Sequence, residues 1–285
     1  MGGASMMRER HWRLAEGRSL PIGRKALIMG VLNVTPDSFS DGGRYDGDVG
    51  HAVEAALAMV VEGASIIDIG GESTRPGAEP VDAAEEQRRV LPAIRALRAR
   101  SEVAISIDTY RAETAMLAVE AGATIVNDVW GAQKDPAIAE VAARTGAGLC
   151  LMHTGRERQK LPDVIADQRA FLGRSIEIAR TAGVADEHIV LDPGFGFAKS
   201  ADENFELMMR IGELVEFGFP ILAGTSRKRF VRGVLTAEAG DADVATAATS
   251  VLLRERGVSI LRVHAVAPTR DALAIVDAAL ERGRP

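Results

Sequence analysis

The sequence predicts an α/β protein, a single (β/α)8 TIM barrel with a short N-terminal hairpin extension. Short runs rich in β-branched residues alternate with longer amphipathic segments, and the alternation occurs eight times in about 260 residues, which is typical of the barrel. A doubly wound open sheet is the alternative for such a pattern. No GxGxxG sequence follows the first apolar run, and this absence, together with the count of eight, favours the barrel.

Eight runs have the length and residue types of buried parallel strands. They occupy 26–32, 65–69, 103–107, 124–126, 147–152, 188–191, 220–223 and 259–263. Helical patterns separate them, at 48–63, 82–99, 111–121, 135–145, 165–183, 202–217, 241–257 and 269–283. Residues that favour helix starts open four of these patterns, namely Asp82, Asp135, Asp241 and Thr269.

Residues 1–25 stand outside this repeat. Within them, WRLAEGRSLPIG has short strand-like runs on either side of Glu16-Gly17, which predicts a hairpin that covers the floor of the barrel. We therefore divide the chain into an N-terminal extension, 1–25, and a barrel domain, 26–285, with no linker between domains.

Composition and charge exclude several classes of protein. The chain has 285 residues, a net charge of −6, a pI near 5.5 and no basic stripe, so binding to nucleic acid is not expected. No window approaches the roughly 18 apolar residues of a membrane span, and the N-terminus lacks the apolar core of a signal peptide, so we expect a cytoplasmic protein. The single cysteine, Cys150, lies in the apolar run GAGLCLM, which predicts a buried, inert thiol.

Nearly every predicted strand ends in a side chain that forms strong hydrogen bonds, and in a barrel these ends meet at one mouth. Taken singly, each of these residues is equally well explained as a cap of the following helix. Their convergence predicts a binding site. In chain order they are Asn33, Asp68, Asp108, Asn127, Asp128, His153, Asp192, Thr225, Ser226, Arg227, Lys228, Arg262 and His264.

The first strand runs into a long polar segment, NVTPDSFSDGG at 33–43. A plain connection takes about two to six residues, so a longer one is usually a disordered linker or a working part of a site. A disordered turn whose Phe39 packs on a neighbour is the alternative to a functional loop.

The mixture of side chains at the mouth indicates the ligand. Carboxylates and amides such as Asp108 and Asn127 can bind the amide-like edges of a planar heterocycle, and cations such as Lys228 and Arg262 can bind an anion. A heterocycle that carries phosphate suits both. A glycosidase requires a dominant pair of acids and a hydride-transfer enzyme requires a dinucleotide fingerprint, and the sequence has neither.

Five segments and a final RVHAV carry a family resemblance that runs from Ala26 to Ala274. The segments are MGVLNVTPDSFSDGG, DIGGESTRPGA, NDVWG, LDPGFGFAKS and GTSRKRF. On these residues the chain resembles the dihydropteroate synthase family of folate biosynthesis, a group of pterin-binding transferases and sulfonamide targets. The resemblance implies condensation of 6-hydroxymethyl-7,8-dihydropterin pyrophosphate with para-aminobenzoate to 7,8-dihydropteroate and pyrophosphate, by a homodimer that uses Mg²⁺.

The resemblance also implies roles for single residues. Four of them match the family's pterin pocket, namely Asp108, Asn127, Asp192 and Lys228. We assign Asp192 to the 2-amino and N3–H edge of the pterin, because a carboxylate accepts two parallel hydrogen bonds. Arg262 matches the arginine that lies against the pterin face, where a planar guanidinium stacks and still donates to an anion.

Other matching residues surround the pyrophosphate and the amine. Asn33 matches the family's pyrophosphate and Mg²⁺ residue, and its amide oxygen suits an ion that takes few protein ligands. His264, two residues after Arg262 on the same face of its strand, is expected to reach the pyrophosphate. The remaining positions belong to two mobile loops and the aminobenzoate pocket, namely Asp37, Phe39, Thr74, Arg75, Pro76, Phe197 and Ser226. Of these, Asp37 is expected to act near the incoming amine and Arg75 on the departing pyrophosphate.

Two rival functions stay open. A pterin-binding methyltransferase domain, which passes a methyl group to a corrinoid partner, resembles a barrel of this kind, but the Ser226-Arg227-Lys228 loop and NVTPDSF argue against it. A noncatalytic paralogue would keep the pterin pocket as a binding or regulatory protein. The chain departs from the family in the fifth loop, LMHTGRERQ, where members often have a longer Met-rich segment, and we leave His153 out of the site.

Overall fold

The N-terminal extension forms a hairpin. A computed structural model describes residues 9–34, 45–72, 81–235 and 241–283. Strand β1, Arg10–Arg13, pairs antiparallel with β2, Ser19–Ile22, and a 3-10 segment connects them. Glu16 and Gly17 have φ of 59° and 67°, so the chain reverses at the predicted residues.

Eight parallel strands form the barrel. They are β3, Leu27–Asn33; β4, Ile66–Gly70; β5, Ala104–Asp108; β6, Ile125–Asp128; β7, Gly148–Met152; β8, Ile189–Asp192; β9, Leu222–Ala223; and β10, Ile260–Val263. Neighbours pair in the order β8-β7-β6-β5-β4-β3-β10-β9, and a bridge between Leu191 and Ile221 joins the two edges. The barrel prediction is confirmed, and every strand lies within two residues of its predicted bounds.

Helices follow the barrel strands and pack around them. They are α1, Tyr45–Glu62; α2, Ala83–Arg98; α3, Ala112–Glu120; α4, Ala137–Thr145; α5, Val164–Thr181; α6, Ala201–Arg210; α7, Gly212–Val215; α8, Arg229–Arg232; α9, Ala242–Glu255; and α10, Val266–Arg282. The predicted caps Asp82 and Asp241 accept hydrogen bonds from first-turn N–H groups. Within the described ranges, no helix combines the length and the apolar composition that crossing a membrane requires.

Two helix predictions are wrong in detail. The predicted helix 202–217 is interrupted where α6 ends and α7 begins. The predicted cap Thr269 lies inside α10, which begins at Val266, and its Oγ1 donates to Ala265 O at 2.9 Å. Pro268 is tolerated in the first turn of α10, because the N–H that it lacks would have no acceptor within the helix.

Apolar side chains fill the barrel and close its floor. The interior layer consists of Met29, Ile66, Ala104, Ile125, Cys150, Val190, Leu222 and Ile260. Trp12 and Leu14 of the hairpin pack beneath this layer, and a Cβ on Gly148 would lie 2.7 Å from Leu14, so a larger residue there would have to displace the hairpin side chains. The predictions of a covered floor and a buried Cys150 are confirmed. The carboxyl ends of the strands form the opposite face, where chemistry occurs in this fold.

Candidate active site

The register of the barrel aligns four strand ends. Ladder partners run from Asn33 to Gly70, from Gly70 to Asp108, and from Asp108 to Asn127. A Cβ built on Gly70 would lie 3.8 Å from Asp108 Oδ2 and 3.9 Å from Asn33 Oδ1. The structure therefore brings two predicted site residues, Asn33 and Asp108, to either side of a glycine that leaves the space between them open, with Asn127 next to Asp108.

Arg262 joins two carboxylates at this mouth. Its Nε donates to Asp68 Oδ2 at 2.7 Å, and its Nη2 donates to Asp108 Oδ2 at 2.9 Å. Burial alone would lower the pKa of the guanidinium, but the two carboxylates outweigh it and the pKa is raised. Burial, and next the charge of Asp68, raise the pKa of the Asp108 carboxyl group. The guanidinium plane is thus charged and fixed, as a stacking surface for a flat ring requires.

Asp68 is a site residue that the sequence identified only as a strand end. It is fully buried, and Asn127 Nδ2 donates to its Oδ2 at 3.2 Å. Asp68 Oδ1 and Asn127 Oδ1 are buried and have no hydrogen-bond partner within the described part of the chain. Because an unsatisfied buried acceptor costs about 1–3 kcal/mol, these two oxygens favour a ligand with N–H donors. The sequence did contain a sign of this role, a lone carboxylate in the otherwise apolar strand IIDIG.

Asp192 ends β8 and is held by the loop that follows. Its Oδ1 accepts a hydrogen bond from Gly194 N–H at 2.7 Å, and burial raises the pKa of its carboxyl group. Gly194 has φ of +63°, and a Cβ there would lie 2.0 Å from His153 O. Only glycine permits this turn, so the sequence LDPGFG determines where the Asp192 carboxylate lies.

Lys228 contacts the same loop. Its Nζ donates to Phe195 O and lies 4.1 Å from the centroid of the Phe197 ring. Burial lowers the pKa of Lys228 to about 7, although Asp192 acts in the opposite direction. Three residues predicted to surround the substrates, Asp192, Phe197 and Lys228, are therefore neighbours.

Ser226 and His264 are paired. Ser226 Oγ lies 2.9 Å from His264 Nδ1 and accepts a hydrogen bond from the backbone N–H of His264 at 3.2 Å. The predicted aminobenzoate residue is thus in direct contact with the predicted pyrophosphate residue, and the loops after β9 and β10 are joined.

His153 supports the Asp192 loop from a buried polar cluster. Its Nε2 is 3.0 Å from Asp167 Oδ2, and its Nδ1 is 2.9 Å from Lys199 Nζ, which also donates to Gly194 O at 2.8 Å. Burial lowers the pKa of His153 to about 4 and that of Lys199 to about 7. Its lowered pKa favours a neutral imidazole, and both of its ring nitrogens contact side chains of this cluster, so the contacts of His153 are structural.

Part of the predicted site lies outside the described residues. These positions are Asp37, Phe39, Thr74, Arg75 and Pro76. Arg111 joins the described residues on either side of 73–80, because its Nη2 donates to Glu72 Oε2 at 2.9 Å and to Val81 O at 2.6 Å. The sequence analysis missed Arg111, since nothing local shows that it meets residues 39 and 30 positions away.

Comparison with known proteins assigns the chain to a family. A profile of the Pterin binding enzyme family matches residues 29–264. The dihydropteroate synthase of Bacillus subtilis (strain 168) is 46% identical over 262 residues, which are 91% of this chain and 90% of that protein. The chain belongs to the dihydropteroate synthase family. This confirms the resemblance seen in the sequence and favours a synthase over the methyltransferase alternative.

Two solved dihydropteroate synthases share the fold. The structure of the Clostridium difficile enzyme in the presence of pteroic acid matches this chain with a TM-score of 0.87 and 46% sequence identity. The match covers 90% of this chain and 98% of that chain. The structure of the Xanthomonas albilineans enzyme with 4-aminobenzoic acid matches this chain with a TM-score of 0.88 and 39% sequence identity. The match covers 96% of this chain and 100% of that chain. Likeness to dihydropteroate synthases therefore extends over almost the whole chain.

Proposed function

We propose that the chain is a transferase that condenses 6-hydroxymethyl-7,8-dihydropterin pyrophosphate with para-aminobenzoate to give 7,8-dihydropteroate and pyrophosphate. The observation that carries this proposal is the pair of buried acceptors, Asp68 Oδ1 and Asn127 Oδ1, that lack a partner in the described ranges and lie beside the Arg262 guanidinium. Acceptors next to a flat cation suit a planar ring that offers N–H groups. The relatives solved with pteroic acid and with 4-aminobenzoic acid support the same substrates.

The pterin is assigned to the space bounded by five residues, Asp108, Asn127, Asp192, Lys228 and Arg262. Asp192 accepts from the 2-amino and N3–H groups, and its Oδ1 can do so while it also binds Gly194 N–H, since a carboxylate oxygen accepts more than one hydrogen bond. Lys228 Nζ donates toward the ring oxygen and N5, and the Arg262 plane lies against the ring face. The ring then satisfies acceptors that the protein leaves unpaired.

The reaction is a displacement at the methylene carbon with strong dissociative character. The bond from that carbon to the pyrophosphate oxygen breaks while the electron-rich pterin stabilises the positive charge, and the amine nitrogen then bonds to the carbon. Arg262 and His264 stabilise the departing anion. An aromatic amine is an uncharged nucleophile at neutral pH, so the chain needs no strong general base, and the amine proton leaves to solvent.

We also propose Mg²⁺ as the cofactor. This ion keeps several waters and typically takes one or two protein oxygens together with substrate phosphates. The described residues contain no group of three His, Cys, Asp or Glu that could hold a metal, and the amide oxygen of Asn33, at the end of β3, suits an ion that is shared with pyrophosphate. When bound, Mg²⁺ neutralises charge on the leaving group.

Replacing Asn33 with Ala is expected to raise the Mg²⁺ concentration at half-maximal rate by about tenfold or more, because the loss of even an outer-shell partner of a metal ligand typically costs about 10–100-fold in metal affinity. Initial rates at saturating substrates, titrated with Mg²⁺, measure the change. Asn33→Asp retains an oxygen at the position and should stay near the wild-type value. An unchanged titration curve in Asn33→Ala would remove this residue from the metal site.

Product formation tests the proposed reaction. Dihydropterin pyrophosphate and para-aminobenzoate are incubated with the chain, with and without added Mg²⁺, and dihydropteroate is measured by chromatography. We expect product that depends on Mg²⁺. Tight pterin binding without product would instead identify a noncatalytic paralogue that keeps the pocket.

We propose that the chain forms a homodimer through its last two long helices. Large apolar side chains project from them into solvent, with Val244 61% and Leu252 38% exposed on α9 and Ile275 75% exposed on α10. These two helices pack against each other, and we assign their exposed apolar side chains to the contact with a second copy of the chain.

The double variant Val244→Glu, Leu252→Glu is expected to be a monomer at micromolar concentration, because two buried carboxylates without partners oppose association. Sedimentation velocity distinguishes the species. Val61→Glu is the matched control, since Val61 is 87% exposed on α1, and it should leave the dimer intact. A wild-type chain that sediments as a monomer contradicts the proposal directly.

Two further expectations from the sequence stay predictions. One is a cytoplasmic location, and the other is inhibition by sulfonamides, which would compete with para-aminobenzoate for its pocket.

A further inference from the structure

The turn after β8 contains a glycine that permits the conformation of the turn without enforcing it. Gly194 has φ of +63°, and its N–H donates to Asp192 Oδ1 at 2.7 Å. A glycine adopts this backbone conformation at no steric cost, but it adopts most other conformations as readily. A defined position of the Asp192 carboxylate therefore depends on a contact that fixes Gly194 from outside the turn.

Lys199 supplies this contact from the far end of the loop. Its Nζ donates to Gly194 O at 2.8 Å and lies 3.5 Å from Phe197 O, so the side chain folds back over the turn. Gly194 is thus held on both sides, with its N–H on Asp192 and its carbonyl group on Lys199. Since both groups belong to one residue, the ammonium group and the carboxylate are joined through a single pair of backbone dihedral angles.

The fifth loop anchors the ammonium group from another side. His153 Nδ1 lies 2.9 Å from Lys199 Nζ, and the other ring nitrogen, Nε2, lies 3.0 Å from Asp167 Oδ2. The backbone N–H of His153 also donates to Asp192 O at 2.8 Å. An ammonium group has three donors, and its three close contacts are the two carbonyl groups of the turn and this ring nitrogen.

The charge of Lys199 carries a cost that its fit in the protein does not explain. Within the described ranges, the hydrogen bonds of its side chain go only to the turn and to His153. Burial, and next the charge of Lys228, lower the pKa of Lys199 to about 7, which records the cost of a charge held away from water. An apolar side chain would fill the same space without that cost, so the hydrogen bonds to the turn explain the lysine.

We propose that Lys199 is a positioning residue of the pterin site, which holds the Asp192 carboxylate in the orientation that accepts the pterin edge. The inference rests on the proposed function, in which Asp192 binds the 2-amino and N3–H groups. Two parallel hydrogen bonds from a rigid edge depend on the orientation of the carboxylate that accepts them. Lys199 does not touch the substrate and acts through Gly194.

The first test compares two lysines that donate to the same loop. Lys199→Met is expected to raise the Kd for dihydropterin pyrophosphate about tenfold, or about 1.4 kcal/mol, in a calorimetric titration. Lys199→Arg keeps N–H donors and should recover part of the loss. Lys160→Met is the matched control, because Lys160 Nζ donates to Ala198 O at 2.9 Å and to Glu203 rather than to Gly194. Its Kd should stay within about twofold of the wild-type value, or about 0.4 kcal/mol.

A double variant shows whether Lys199 acts through Asp192. In the Asp192→Asn background, Lys199→Met should raise the Kd by less than about twofold, because coupled residues do not act additively. Inorganic pyrophosphate, titrated in the presence of Mg²⁺, lacks the pterin edge, and its Kd should change less than about twofold in Lys199→Met. Thermal melting verifies that each variant is folded. Lys199→Gln, which keeps an N–H donor on a shorter side chain, replaces Lys199→Met if that variant does not fold, and it should weaken pterin binding in the same direction.

Several results overturn the assignment. An unchanged Kd in Lys199→Met would mean that the turn keeps its conformation unaided, and equal weakening in Lys160→Met would mean that the loop is loosened as a whole. Additive effects in the double variant would show that Lys199 acts independently of Asp192. A parallel loss of affinity for pyrophosphate would mean that the whole mouth is disturbed. A wild-type chain that does not bind dihydropterin pyrophosphate would remove the proposed function itself, and this failure is distinguished from the others because they require binding by the wild type.

Discussion

Arg262→Met is expected to abolish product formation and to lower the free energy of unfolding by about 3–5 kcal/mol. The substitution leaves Asp68, which is fully buried, and Asp108 without the guanidinium that pairs with both. Removing one partner of a buried ion pair costs this much because the remaining charge is uncompensated. Urea unfolding measures the stability, and kcat/KM of the folded enzyme measures catalysis.

The stability loss in Arg262→Met should be smaller at pH 6 than at pH 8. Burial, and next the charge of Asp68, raise the pKa of Asp108 in the folded state, and removing Arg262 removes the charge that opposes this rise, so the folded variant binds a proton that the unfolded chain releases. Stability contributed by a group with a raised folded pKa is lost as the pH rises through that pKa. A stability loss that is equal at both pH values would show that Asp108 does not take up this proton.

Arg254→Met is the matched control for this variant. Arg254 is 2% exposed, its Nε donates to Asp277 Oδ1 at 2.7 Å, and its Nη2 donates to Gly23 O at 2.7 Å, next to the N-terminal hairpin. It should lose comparable stability and keep kcat/KM near the wild-type value. If both arginine variants lose catalysis equally, instability rather than the position of Arg262 at the mouth explains the effect.

The barrel was predictable because its causes are local. A strand buried on both faces needs a run of apolar residues, and each surface helix needs an apolar stripe, so the alternation in sequence records the two layers directly. The errors also have local causes. The start of α10 was misplaced at Thr269 because this residue type favours helix starts, whereas the helix begins at Val266 and accommodates Pro268 in its first turn.

The candidate site was predictable only in part. Strand ends such as Asn33, Asp108 and Asp192 were predicted because the parallel barrel brings them to one mouth regardless of the details of packing. The pairing of Arg262 with Asp68 was missed, since the two residues are 194 positions apart and a lone carboxylate in an apolar strand gives no indication of what it binds. The contact between Arg156 and Phe197 likewise depends on how two loops pack against each other.

Backbone strain is concentrated on the face of the barrel that carries the site. Four non-glycine residues with positive φ in the described ranges lie in loops after β6, β7, β8 and β9, and they are Ala132, Glu157, Ala198 and Arg227. Each such conformation costs on the order of 1 kcal/mol or more and persists only where the surroundings enforce it. The cost is consistent with loops that hold polar groups in place before a substrate arrives.

Asp192→Asn is expected to raise the Kd for dihydropterin pyrophosphate by about 100-fold, which corresponds to about 2.7 kcal/mol. The amide keeps an oxygen that can accept from Gly194 N–H, so the loop should retain its position. It replaces the second carboxylate oxygen with an N–H donor, which opposes the donors of the pterin edge and removes a charge-assisted hydrogen bond. Calorimetric titration without para-aminobenzoate measures binding apart from catalysis.

Asp128→Asn is the control for Asp192→Asn, because it also replaces a buried carboxylate at a strand end with an amide. Asp128 accepts from Trp130 N–H at 2.8 Å and from Ala132 N–H at 2.6 Å, and burial raises its pKa to about 7. Its oxygens thus hold the loop after β6, so the amide should lower the melting temperature and leave the Kd for the pterin within about threefold, or about 0.7 kcal/mol.

Pterin binding that is unchanged in Asp192→Asn would require another residue for the 2-amino and N3–H edge. The acceptors Asp68 Oδ1 and Asn127 Oδ1 would then be the next candidates, because they are buried and lack a partner among the described residues.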